Sequence, residues 1–440
     1  MTQLAIRSPA LLLPAATVDI ASWPVVACDQ YTSQPEYWRK TAEIVGDSPS
    51  TLHLILPEVY LGAGDVARIE RIHATMNSVM QAGLLVPHRG AILVQRTTQG
   101  PHGSHTRTGV VLEVDLDAYD FSKGSTSLVR ATEGTIVDRI PPRLRVRAGA
   151  PLELPHVLLL FDDPDHAVLG PLVARKTELK ALYAIELMQN GGQVCGWALD
   201  SAAEAHLFST IGQLTDPAAF AAKYPHAGGA APLQFAVGDG NHSLATARTW
   251  WLQVRETLTN EQRDHHPARW ALVEIGNVHD AGLDFEPIHR VLFGVTGDVL
   301  AAMHSHFGDD LRIQPAEPAS LAAQVAGFGD GQALGLVCAA GAWLVQFTRP
   351  QANLTVATLQ RWLDGWLASG GATGIDYVHG ADVTLDLGQR PGHAGLLLPA
   401  IDKSALFASV ISDGALPRKT FSMGEAWEKR YYLECRRITL

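Results

Sequence analysis

The sequence predicts an α/β chain, an α+β arrangement of mixed sheets and helices in two lobes. Strand-like and helix-like segments alternate along it, which an all-helical or all-β chain would not show. With 440 residues, 47% of them hydrophobic and 18% charged, the chain buries a real core and exceeds the usual size of one domain. Its longest uncharged run, ALGLVCAAGAWLVQF at 333–347, is shorter than the ~20 residues of a spanning helix and has glycines in its middle, so it reads as a hairpin. A motif-bearing lobe is expected over residues 1–300 and a C-terminal α/β lobe over 301–440.

The elements follow in order. The opening MTQLAIRSPALLLPAA is interrupted by Pro9 and Pro14 and is followed by no A-x-A cleavage site, so it reads as mature sequence. STLHLILPE (50–58) predicts a buried strand, and DVARIERIHATMNSVMQAGLL (65–85) has apolar residues at helical spacing. AILVQRTT (91–98) and TRTGVVLEVDLD (106–117) flank the Gly-rich QGPHGSH, a hairpin signal. HVLLLFDDP (156–164) predicts a strand ending in acids, and KTELKALYAIELMQ (176–189) a helix. AGGAAP (227–232) is a linker or a loop, and RWALVEIGNV (269–278) a strand. Beyond about residue 300 come the hairpin and a strand-helix unit, AGLLLPAIDKSALFASVI at 394–411. No internal repeat or low-complexity tract is visible.

Charge and cysteines narrow the function classes. A net charge of −11 and a pI near 5.9 speak against a nucleic-acid surface, because phosphate backbones are bound mainly by clustered Lys and Arg. No membrane segment is expected either. Cys28, Cys195, Cys338 and Cys435 lie far apart with no CxxC spacing, so neither zinc nor a disulfide framework is suggested. A reducing cytoplasm is the plain reading.

The stretch with chemistry is FAVGDGNHSLATAR, 235–248, where an apolar strand hands over to a helix through small residues. Such a junction exposes backbone N–H groups, the helix dipole adds partial positive charge, and phosphate is the favoured ligand. Gly238 and Gly240 let the backbone approach a ligand closely, and Asp239 is placed to hold a metal ion or orient a hydroxyl. Asn241 and His242 add hydrogen bonds at the helix start. Ser243 stands where GxGxxG has its third glycine, and no GxxxxGK[ST] occurs, so Rossmann and P-loop readings fail. The plainer alternative is a Gly-Asp turn with an Asn N-cap and a solvent-facing His.

RATEGTIVDRIPPRLRVR (130–147) gathers Arg130, Arg139, Arg143, Arg145 and Arg147 around Glu133 in an otherwise acidic protein. Arginine suits phosphate because its planar fork binds two oxygens, and a carboxylate beside it stays ionised as a base. Arg143, Arg145 and Arg147 read as the solvent face of an alternating strand. Glu133 and Arg139 are assigned to function, with an ion pair as the plainer role of Glu133.

In this order STLHLILPE, TRTGVVLEVD, RATEGTIVDR, AVGDGNHSLATA, FEPIHRVLF, GIDYVHG and PRKTFSMGEAWEKRYYLE resemble a widespread bacterial family of uncharacterised proteins, a domain of unknown function whose usual motif is ADGHHR. The family is associated with the ParB/sulfiredoxin-like fold, whose members include free-serine kinases using ADP or ATP, sulfiredoxin and CTP-binding ParB proteins. The resemblance implies nucleotide phosphate binding at the junction, with Glu133 as general base toward a substrate hydroxyl. Where the family has two histidines and an arginine, this chain has Asn241, His242 and Ser243; the role of that arginine toward phosphate then falls to Arg139 or Arg248.

Lesser candidates complete the survey. His102 and His105 have a metal-like spacing but sit in a glycine turn without carboxylate or thiol partners, so a solvated loop is expected. Cys28 and Asp29 are a buried cysteine and its neighbour or a pocket wall. Asp284, Glu286 and His289 line a cleft or cap a helix, and Arg418 and Lys419 reach a phosphate or solvate a loop. The expected protein is a kinase-like phosphotransferase that uses ATP or ADP with Mg²⁺ on a small hydroxylated metabolite, serine first. The alternatives are a noncatalytic nucleotide-binding switch in the manner of ParB and a hydrolase of a phosphorylated metabolite.

Overall fold

Strands of two to thirteen residues pair into two large sheets, the first with parallel and antiparallel neighbours and the second antiparallel, and helices with one apolar stripe cover them. The computed structural model describes residues 4–62, 64–100, 103–329 and 331–440, and among these the chain is mixed α/β as the sequence predicts. It divides into two units. Residues up to 283 together with 424–440 form one, and 284–423 the other. The division therefore falls at 283/284, where the sequence pattern put it near 300, and the last 17 residues return to the first unit.

In the first unit the described strands of the ten-stranded sheet are, in chain order, β1 (Ile6–Arg7), β2 (Ile92–Gly100), β3 (Gly103–Asp115), β4 (Tyr119–Asp120), β5 (Val129–Ala131), β6 (Leu158–Phe161), β7 (Lys180–Leu187), β8 (Gly192–Ala198), β9 (Phe235–Asp239) and β10 (Trp270–Asn277). Across the sheet they run β7-β8-β2-β3-β10-β6-β9-β5-β4, with β1 beside β3. β6 lies parallel to β10 and antiparallel to β9, which in turn runs parallel to β5. Leu158, Leu159, Leu160, Phe161, Phe235, Ala236 and Val237 are all buried, as strands covered on both faces require. Two helices matter for the site: α1 (Ile140–Arg147) and α2 (Asn241–Glu256), which buries Leu244, Ala247, Trp250 and Trp251.

The second unit is built on a seven-stranded sheet in the order Leu311–Ala316, Gly341–Phe347, Gln332–Cys338, His393–Leu397, Phe285–Phe293, Gly374–His379, with Phe421–Met423 on the early part of Phe285–Phe293. The predicted hairpin is there, with Cys338 opposite Gly341, and so is the strand-helix unit, as His393–Leu397 and Lys403–Ser412. No helix among the described residues is long and apolar enough to cross a membrane.

Four local expectations are corrected. KTELKALYAIELMQ is not a helix. Lys180–Leu187 is a strand turned onto β8 through Gln189 and Asn190, both at positive φ, with the Gly191 N–H closing the turn on Met188 O, and pairing with β8 outweighs the helix-favouring residues of the run. STLHLILPE is two 3-10 turns, Thr51–Leu54 and Glu58–Tyr60; Ser50 accepts the Leu52 N–H and starts the first, and Pro57 separates them. RLRVR is the end of helix α1, which Pro141 and Pro142 can open because the first helical N–H groups need no partner. FEPIHR is a strand with His289 buried, and it caps no helix.

Candidate functional site

The strand-helix junction read from the sequence forms. β9 ends at Asp239, Gly240 alone makes the turn, and α2 begins at Asn241. Gly240 has φ 80° and ψ 27°, the left-handed region that costs a residue with a Cβ ~1–2 kcal/mol. A Cβ there would also lie 3.0 Å from Val157 Cγ2 and 3.1 Å from Val157 Cα, so glycine is required twice over. Leu158 pairs with Asp239 and Leu159 with Val237, which leaves Gly238 as the extra residue of a β-bulge. Bulges re-aim the side chains that follow, and the one that follows here is Asp239. Gly240 caps with no side chain, so the opening N–H groups of α2 are not taken by an N-cap residue.

Asp239 Oδ1 accepts the Gly240 N–H at 2.9 Å, and Oδ2 lies 3.1 Å from Lys429 Nζ. Burial alone would push the carboxyl up. The Lys429 ammonium, helped by His156 and the Gly240 N–H, outweighs burial and holds it below its ordinary value. Lys429 is only 13% exposed and is fixed from both sides. Arg96 donates to Trp427 O, Thr98 donates to Glu428, Ala27 N–H donates to Arg430 O, and Tyr431 and Tyr432 pair with Val26 and Val25. Arg430 is buried between Glu274 and Glu434.

His156 closes the other side, its Cδ2 3.5 Å from the position of a Gly240 Cβ. Its Nδ1 shares a 2.7 Å hydrogen bond with the Tyr432 hydroxyl, and its Nε2 is 3.7 Å from Asp29 Oδ2. The Tyr432 hydroxyl also contacts Cys28 Sγ at 3.1 Å and accepts the Cys28 N–H at 3.2 Å. Burial first, then Asp29 and Glu58, pushes the Cys28 thiol far up, which disfavours the thiolate that a nucleophile needs.

The segment 133–139 meets the first turn of α2. Ile136 N–H donates to His242 Nε2 at 3.3 Å, so His242 faces this segment and is not the solvent-facing residue of the plainer reading. Glu133 is half-buried three residues earlier, and Arg139 is exposed three residues later. Two fully buried polar atoms without a hydrogen-bond partner, Thr135 Oγ1 and Asn241 Oδ1, belong to the residues next to this contact in the chain. The other arginines are engaged: Arg143 with Glu58 at 2.5 Å, Arg145 with Asp65 at 2.7 Å and Arg147 with Glu153 at 2.6 Å. Arg248, considered as a substitute phosphate contact, pairs with Asp117 at 2.7 Å. Ser243 is half-buried in the first turn of α2.

Asp239 was expected to hold Mg²⁺. Both its oxygens already have donors, one of them an ammonium, and no group of three or more His, Cys, Asp or Glu side chains suited to a metal occurs among the described residues. These residues do not fit a resident Mg²⁺. His105 lies on β3 opposite Thr98, and His102 falls outside the described residues. Arg418 binds the Tyr377 hydroxyl at 2.7 Å, and the carbonyl of Lys419 accepts from Arg290, both within the second unit. Sequence reasoning missed His156, Lys429 and Tyr432. His156 opens the quoted strand HVLLLFDDP, and the other two stand in EKRYY, a run of charge and aromatics whose neighbours Arg430 and Tyr431 are also buried.

Over residues 9–366 the chain matches the family described as protein of unknown function DUF1015, and it belongs to that family. No curated protein matches it. Among solved structures it is similar to a free serine kinase in complex with AMP, at 10% identity and TM-score 0.36, covering 75% of this chain and 92% of that one. A conserved hypothetical protein from Pyrococcus furiosus is 11% identical, at TM-score 0.34, over 75% and 95% of the two chains. SbnI with a C-terminal truncation, from Staphylococcus aureus, is 8% identical, at TM-score 0.36, over 71% and 82%.

Proposed function

We propose that this chain is a cytoplasmic nucleotide-dependent phosphotransferase on a ParB/sulfiredoxin-like core, passing a phosphoryl group from ATP or ADP to the hydroxyl of a small metabolite, serine first. The observation that supports it is the junction at Gly240. A single-residue turn delivers the N-terminus of a 16-residue helix beside an ammonium held at Asp239. Likeness to kinases at such low TM-scores carries none of the argument.

Phosphoryl transfer asks the protein for position and charge more than for covalent chemistry. In this reading the α2 N-terminus and Lys429 receive the phosphate oxygens, with exposed Arg139 near the mouth. The substrate hydroxyl gives its proton to the Glu133 carboxylate while its oxygen forms the bond to phosphorus. The bond from phosphorus to the bridging oxygen breaks, and that oxygen leaves with the electron pair on the shortened nucleotide. His242 Nε2, held by the Ile136 N–H, keeps Glu133's segment against the helix start.

A thermal-shift screen with ATP, ADP and CTP, followed by mass spectrometry for phosphorylated product with serine and related hydroxylated metabolites, tests the reading. Stabilisation by a nucleotide together with a phosphorylated acceptor is expected. Stabilisation without product from any acceptor would replace it with a nucleotide-binding switch, and no stabilisation would remove nucleotide from the account.

A further inference from the structure

We propose that Lys429 is the built-in counter-cation of Asp239, occupying the place a divalent metal would take, so that anion binding at this junction is independent of Mg²⁺. The inference deepens the nucleotide reading and rests on it for the identity of the anion alone. The ion pair can be tested without any nucleotide.

Three observations carry it. Both oxygens of the Asp239 carboxylate are engaged, Oδ1 by the Gly240 N–H at 2.9 Å and Oδ2 by Lys429 Nζ at 3.1 Å. A divalent cation binding there would have to expel the ammonium or sit against it, and like charges at that range repel strongly. Lys429 is also held where it is. Trp427 and Glu428 are bound to β2, Arg430 is buried between two carboxylates, and Tyr431 and Tyr432 are paired to residues 25–26. Only the side chain can move, and its neighbours leave its stem at the junction. Finally, the ammonium has three donors and Asp239 is its one ion-pair partner among the described residues, so it can hold the carboxylate and a ligand oxygen together.

Asn241, two residues after Asp239, buries its Oδ1 without a hydrogen-bond partner, and Thr135, beside the Ile136 that meets His242, does so with its Oγ1; polar atoms hidden in this way are rare in a folded protein and mark this helix start as a place for a ligand. An oxyanion carrying a hydroxyl or a bound water would supply the donor that the Asn241 oxygen lacks. The class of ligand is a phosphate group that arrives without a metal.

The test uses the full chain and its Lys429→Met variant, with two probes. Mn²⁺ alone, followed by electron paramagnetic resonance, should show no tight site in the wild type, and Lys429→Met should gain one as the Asp239 carboxylate is released; Lys429→Met/Asp239→Asn should lose it again. Calorimetry with ADP should give the same affinity in EDTA as in Mg²⁺ for the wild type. Lys429→Met should weaken ADP about 10- to 100-fold in EDTA, as expected for removing one charge-assisted hydrogen bond. Urea midpoints of the variants establish that they fold, and Lys429→Arg should restore much of the affinity. Mn²⁺ binding to the wild type through Asp239, or ADP binding that requires Mg²⁺, would overturn the inference. If the wild type binds no ADP in either buffer the nucleotide reading fails, and the Mn²⁺ arm alone decides the role of Lys429.

Discussion

Replacing Gly240 by alanine is a direct test of the junction. The residue sits at φ 80°, where a Cβ crowds its own backbone at a cost of ~1–2 kcal/mol. The new methyl would also lie 3.0 Å from Val157 Cγ2 and 3.1 Å from Val157 Cα. The Cγ2 can rotate away, but the Cα belongs to the chain entering β6 and cannot move without disturbing Leu158, which pairs with Asp239. Overpacking of this kind costs ~1–3 kcal/mol. The two effects together predict a destabilisation of about 2–5 kcal/mol for Gly240→Ala, a large share of a typical folding stability. Urea unfolding followed by tryptophan fluorescence and circular dichroism reads it as a lowered midpoint at unchanged slope. Gly134→Ala is the control, because that glycine has no neighbour within 4 Å of its Cβ position and no positive φ, so its midpoint should stay within about 0.5 kcal/mol of wild type. Equal midpoints for the two variants would refute the reasoning about the turn.

Further outcomes follow from the same structure. Glu133→Gln should keep the fold and nucleotide affinity while phosphoryl transfer drops ~10²- to 10⁴-fold in a product assay, and turnover near wild type would return Glu133 to a structural ion pair. Arg430→Met leaves the buried Glu434 carboxylate without its guanidinium and Glu274 with Arg107 alone, 3.4 Å away, so its urea midpoint should report a destabilisation of about 3–5 kcal/mol; a change under about 1 kcal/mol would contradict the pairing. His289 is 4% exposed, accepts the Leu398 N–H and is pushed down to about 4, first by burial and then by Arg290 and His379. The neutral ring is the folded form, so stability is complete above the ordinary value of 6.5 and falls as pH drops toward 4, by up to about 3 kcal/mol in melts across that range. His289→Asn, whose Oδ1 can accept the same N–H, should flatten that decline. For Asp239 the sign is the usual one for a carboxylate held low: the Lys429 pair stabilises above the ordinary 3.8 and the contribution disappears as pH falls through the lowered value, a decline Asp239→Asn should not show in acid titrations.

Much of the fold was legible where periodicity and turns agree. The hairpin at 92–115, the helix at 66–81 and the strand-to-helix change at 235–256 each have an unambiguous apolar period and a glycine at the break. Misreadings came where two signals competed. KALYAIEL has helix-favouring Ala and Leu, and the tight turn through Gln189 and Asn190 with the strand pairing that follows overrides them. IPPRLRVR alternates like a strand, yet two prolines suit a helix start and the arginines find Glu58, Asp65 and Glu153 on other segments. The candidate site was legible at Gly240, whose positive φ calls for glycine, and at its chain neighbours Asp239 and His242, which carry polar groups at the strand-to-helix change. Its remaining members come from 28–29, 156 and 429–432. No spacing rule links residues brought together by sheet order, so Lys429 could not be paired with Asp239 before the structure was known.

Calorimetric titration of the full chain with ADP, with adenosine as the comparison, tests the phosphate site most directly. Phosphate recognition at the Gly240 junction predicts that ADP binds, that adenosine binds far more weakly, and that ADP at about 100 times its Kd raises stability by about 2.7 kcal/mol. Equal binding of ADP and adenosine, or no binding of either at millimolar concentration, would contradict it.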